Sequence, residues 1–124
     1  MNEKTNQAIA CNLAAIPDEL REQHVTNSPR IFQAAQEMRE LPNGYAFRLP
    51  NEEGMWLALA TFVEHERRCC SFWRFGLTVE PNNGPLWLEL TGPEGAKALL
   101  ATVLSEQVDA IIGSGAPYGT IERQ

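Results

Sequence analysis

Apolar and polar positions alternate with a period of two in three stretches of this chain and recur with a period near 3.6 in two others. Tyr45, Phe47 and Leu49 alternate with Ala46 and Arg48 behind a Pro42-Asn43-Gly44 turn, which predicts a hairpin whose first strand is residues 37–41. That first strand would suit a helix equally well. From Glu52 the spacing changes, and Met55, Leu59, Phe62, Val63, Glu66 and Cys70 share one face at about 100° per residue, the signature of a central helix. Residues 72–80 and 86–91 alternate again, with Phe75, Leu77 and Val79 on one face of the first and Leu86, Leu88 and Leu90 on one face of the second. Pro81-Asn82-Asn83-Gly84-Pro85 joins them as a second hairpin. Thr91-Gly92-Pro93-Glu94 fits a capping box, and Ala96, Leu99, Leu100, Val103, Leu104, Val108 and Ile111 follow at helical spacing. Upstream, Pro17-Asp18-Glu19 starts a helix over residues 17–26, Asn27-Ser28-Pro29 interrupts it, and a second helical piece covers residues 29–36.

Strand, strand, helix, strand, strand, helix closes most simply as an α+β two-layer sandwich. It has a four-stranded antiparallel sheet (ββαββα) with both helices on one face and an extra N-terminal helix. A chain of 124 residues with 44% hydrophobic positions has room for one core, so residues 1–112 form a single domain and residues 113–124, rich in glycine, a flexible C-terminal tail. Trp87 and Glu89 fall on the sheet face away from the helices, and an aromatic face left uncovered there favours a homodimer.

Composition narrows the partners. A formal charge of −6 and dispersed basic residues exclude nucleic acid and anionic membrane surfaces as partners. The first residues lack a signal peptide's basic and apolar regions, and no apolar run reaches membrane-spanning length, which points to the cytoplasm. Three cysteines, two of them adjacent, make no disulfide framework, and a reducing compartment keeps them as thiols open to metals or oxidants.

The chemistry concentrates in His65-Glu66-Arg67-Arg68-Cys69-Cys70. Glu66 occupies a position in the apolar stripe, where an unpaired carboxylate costs several kcal/mol, so it needs a partner: Arg74, another cation, a buried donor or a metal. His24, the other histidine, reads as a solvated residue of the first helix. Cys70 lies one turn beyond Glu66 and Cys69 one turn beyond His65, His65 and Cys69 falling at the rim of the stripe. The two thiols converge only if the helix ends beside them, which the strand-like residues from Phe72 suggest. A closed soft-metal site needs a third ligand, and Cys11 is the available one. Against this stands a plainer alternative, in which Cys11 and Cys70 are small buried residues and the chain is a structural or interaction module.

His65-Glu66-x-x-Cys69 also resembles the zinc-hydrolase pattern H-E-x-x-H with cysteine in place of the second histidine, the glutamate acting as general base. The same cysteines suit a thiol oxidoreductase, with Arg67, Arg68 and Arg74 lowering a thiol pKa.

Glu66-x-x-Cys69-Cys70-x-Phe72-x-x-Phe75, followed by Leu86-Trp87-Leu88-x-Leu90-Thr91-Gly92-Pro93-Glu94-Gly95, resembles small bacterial proteins with an E-x-x-C-C-P-F signature. Ser71 stands where the signature has proline. The resemblance, over about residues 41–104, implies companionship with heavy-metal resistance genes and hence soft-metal handling. The expected protein is a soft-metal binder, for Zn or another soft divalent ion, with Cys69, Cys70, Cys11, Glu66 and His65 as the metal-site residues. A Zn-dependent hydrolase and a thiol oxidoreductase are the enzyme alternatives.

Overall fold

The computed structural model describes residues 11–113 and 120–123, with side chains described to Leu104. Three helices, α1 (Asp18–Gln33), α2 (Met55–Cys69) and α3 (Ala96–Gly113), accompany strands β1 (Glu37–Leu41), β2 (Gly44–Leu49), β3 (Arg74–Val79), β4 (Leu86–Thr91) and β5 (Thr120–Arg123). The antiparallel four-stranded sheet expected of the α+β sandwich has the order β3-β4-β2-β1, and β5 adds to the β1 edge in parallel. The tail expected over residues 113–124 therefore includes this strand, while residues 114–119 lie outside those described.

Alternation decides which side of the sheet is covered. Phe47 and Leu49 on β2 and Leu86, Leu88 and Leu90 on β4 are all at most 1% exposed, and they meet Ile31, Phe32, Leu59, Phe62, Leu100 and Leu104 from the three helices. Phe32 packs edge-on against both Phe47 and Phe62, at centroid distances of 5.1 and 5.6 Å. The opposite face is polar and self-paired. Arg39 and Arg48 each donate to Glu37 at 2.9 Å, and the Arg39 guanidinium lies 4.5 Å above the Trp87 ring. The aromatic on that face is thus partly covered from within the chain.

Both hairpins form where the turn residues put them. Gly44 faces Thr91 so closely that a Cβ there would meet the Leu90 carbonyl oxygen at 1.8 Å, and the Gly92 amide donates to the Asn43 carbonyl at 3.1 Å. Asn82 and Asn83 adopt the left-handed conformation that asparagine tolerates, turning the chain between β3 and β4.

Three local expectations change. α1 runs unbroken through Pro29, because Ile31 and Phe32 beyond it are buried and Asn27 donates to the Ala58 carbonyl of α2 at 3.2 Å. Tertiary packing there outweighs the proline's intrinsic cost. Thr91 caps no helix: it remains in β4, paired with Gly44 and Arg74, and α3 starts five residues later behind Gly95 at φ 96°. β3 starts at Arg74 rather than Phe72, since Ser71 and Phe72 form the turn that leaves α2. On α3 the predicted stripe is buried at Ala96, Leu100 and Leu104; the side chains of Val108 and Ile111 lie outside those described.

Candidate metal centre

α2 ends where the two adjacent thiols need it to end. Cys69 is its last residue, and Cys70 caps it at φ −122° and ψ 77° while still donating its amide to the Glu66 carbonyl at 2.7 Å. Leaving helical geometry between the two residues removes the 100° divergence that would part their side chains. Their sulfurs lie 3.7 Å apart and both residues are buried.

Cys11 completes the group. The Asn12 amide donates to the Cys69 carbonyl at 2.7 Å, which fastens the N-terminal segment to the open end of α2. A 3-10 turn at Leu13–Ala15 follows, with the Asn12 side chain accepting from the Ala14 amide. Arg21 on α1 donates to the Leu13 and Ile16 carbonyls at 3.0 Å and to Asp18 at 2.6 Å. These bonds hold Cys11 beside the pair by means other than its own sulfur. The three sulfurs lie within 4.8 Å of one another, and Cys11, unlike the other two, is exposed.

In this structure Cys11 and Cys70 are joined as a disulfide and Cys69 is the free thiol. The expectation of three free thiols is corrected accordingly, as is that of Cys11 as a buried small residue. The bond and a metal ion compete for the same sulfurs, so ligation by all three requires the reduced protein. The donor set then fits a soft ion: a metal–sulfur distance of about 2.3 Å in tetrahedral geometry puts ligand sulfurs roughly 3.8 Å apart.

Glu66 finds the partner its position demands. Its Oε1 lies 2.8 Å from Nε2 of His24, with Glu66 14% and His24 4% exposed at the side chain. His24 is therefore a core residue, stacked 5.8 Å from Phe62, and not a solvated one. Leu20, His24, Asn27 and Ile31 recur at i, i+4, i+7 and i+11, a helical stripe that could have revealed it from the sequence. Arg74, the nominated partner, is exposed on β3.

His65 is buried rather than at the rim, edge-on to His24 at 5.8 Å, and its Nδ1 has no hydrogen-bond partner among the described residues. Burial, then the neighbouring His24, holds its pKa below the ordinary histidine value. Neither His65 nor Glu66 joins the three sulfurs in a potential ligand group among the described residues. Cys69 is displaced upward, first by burial and then by the charge of Glu66, with the Asn12 amide pulling the other way. Of the arginines expected to lower a thiol pKa, Arg67 and Arg68 reach Glu64, at 4.0 and 3.2 Å.

A cavity of ~320 Å³ opens at this site. The three cysteines, His24 and Glu66 line it together with apolar side chains from α1, β4 and α3. No family model, curated protein or solved structure matches this chain.

Proposed function

We propose that the protein binds soft metal ions as thiolates through Cys11, Cys69 and Cys70, holding the ion or handing it on as an accessory of heavy-metal resistance. The single observation that supports this most is the convergence of three sulfurs within 4.8 Å at the end of α2. Glu66 and His24, paired with each other, brace the helix that carries two of the ligands. Cys11, exposed, is the natural first contact for an incoming ion, with the buried pair completing the site. A cytoplasmic location belongs to this proposal, because the ligands require a compartment that keeps thiols reduced. Among the described residues no helix is long and apolar enough to cross a membrane. Homodimerisation through the sheet face that carries Trp87 is proposed with it, tested by light scattering of wild-type protein beside Trp87→Ala.

Titration of fully reduced protein with Hg(II), Cd(II) or Zn(II), followed by thiolate-to-metal absorption, should give one ion per chain. The Cys69→Ser/Cys70→Ser double variant should lose the absorption band and at least a hundredfold in affinity. Equal stoichiometry and affinity in that variant would refute the proposal.

The Cys11–Cys70 bond supports a second reading, a thiol oxidoreductase in which Cys69, 3.7 Å from the Cys70 sulfur, exchanges into the bond. It predicts reduction of a small disulfide substrate in the presence of a dithiol, lost in Cys70→Ser. No turnover by wild-type protein would count against it.

A further inference from the structure

The cavity beside the sulfurs is larger than a bare ion needs. Its ~320 Å³ compares with ~30 Å³ for one water and falls at the lower end of small-molecule sites, about 300–1,000 Å³. Away from the sulfurs and the His24–Glu66 pair its walls are mostly hydrocarbon, including Phe32, Trp73 and Leu100. The mouth is apolar too: Leu13, Val25 and Val103 line it while 44, 53 and 40% exposed. An apolar recess leading to thiols calls for a ligand with two parts, a soft centre for sulfur and an apolar group for the walls.

Resting on the proposed thiolate site, we infer that the preferred ligand is a soft metal or metalloid carrying one apolar organic substituent, such as an aryl-arsenic(III) or aryl-mercury(II) species. The sulfurs take the metal or metalloid and the recess takes the organic group. For an aryl-arsenic(III) dihydroxide and two reduced cysteines, two As–S bonds form and two As–O bonds break. Each thiol proton leaves with a hydroxyl as water, and arsenic keeps its oxidation state. The disulfide must first be opened by a thiol reductant, which supplies two electrons and two protons to Cys11 and Cys70 and is itself oxidised to a disulfide. Cys69 and Cys70, at 3.7 Å, are spaced for a shared atom, and Cys11 remains at hand as a third donor.

The test compares phenylarsine oxide with methylarsonous acid on the reduced full-length chain, using dithiothreitol as the reference for intrinsic dithiol affinity. Both compounds engage two thiols, so their ratio isolates the organic group. The protein should favour phenyl over methyl at least tenfold beyond the ratio for dithiothreitol. Val103→Trp or Val25→Trp, each placing a large side chain at the exposed mouth, should bring that ratio back to the dithiothreitol value while methyl binding stays within threefold. Should both compounds bind with the dithiothreitol ratio, the recess takes no organic group and this inference falls while the thiolate site stands. Failure of both to bind protein with three titratable thiols would overturn the site and the inference together.

Discussion

Glu66 is the residue from which the site is most easily understood. A carboxylate in an apolar stripe demands a partner, and that much could be read from the chain; the partner's identity could not, because His24 is 42 residues away and α1's path decides which of its faces turns inward. The charge of Glu66 also bears on Cys69, whose pKa burial and that charge raise. At pH 7 Cys69 should accordingly alkylate more slowly than a free cysteine in unfolded protein. Glu66→Gln should speed the reaction, measured by iodoacetamide labelling and mass spectrometry; an unchanged rate would remove the electrostatic cause. His65 gives a pH dependence of known sign. Its folded pKa is depressed, so its contribution to stability is fully present above the ordinary histidine pKa, about 6.5, and is lost as pH falls towards the folded value. Urea midpoints should therefore decline from pH 7.5 to 5, and His65→Phe should flatten the decline.

At the scale of elements, the regular ones were legible because burial on one face imposes a period. β2, β4 and α2 lie where alternation and the 3.6 spacing put them, and the two turns are carried by Pro42-Asn43-Gly44 and the Asn82-Asn83 pair. What sequence pattern could not weigh was tertiary context. Pro29 reads as a breaker, yet the packing of Ile31 and Phe32 carries α1 past it. Pro29→Ala should then stabilise the protein by about 1–2 kcal/mol in chemical denaturation, less than the full helix-interior cost of proline because the unfolded chain also gains freedom. A loss of stability would mean that the proline's packing outweighs its helix cost. Gly44→Ala is the opposite case. With backbone where its Cβ would go, it should cost about 3 kcal/mol or more and loosen the junction of β2 and β4.

At the scale of the whole molecule, a sheet covered on one side by three helices leaves the end of α2 open, and the segment from Cys11 to Ile16 closes it. That closure was the least legible feature, since the segment has no periodicity; it depends on hydrogen bonds from Asn12 and Arg21 and on the single buried side chain of Ile16 rather than on an apolar stripe. The same closure would make the proposed metal site redox-sensitive, because Cys11, the proposed third ligand, is also the residue that forms a disulfide with Cys70. Oxidised protein should therefore bind Cd(II) at least a hundredfold more weakly than reduced protein. The three-sulfur site itself is tested most directly by X-ray absorption of the Cd(II)- or Hg(II)-loaded reduced protein. Three sulfur neighbours per metal are predicted for the wild type and two for Cys11→Ser, whereas fewer than three in the wild type, or no change on losing Cys11, would contradict it.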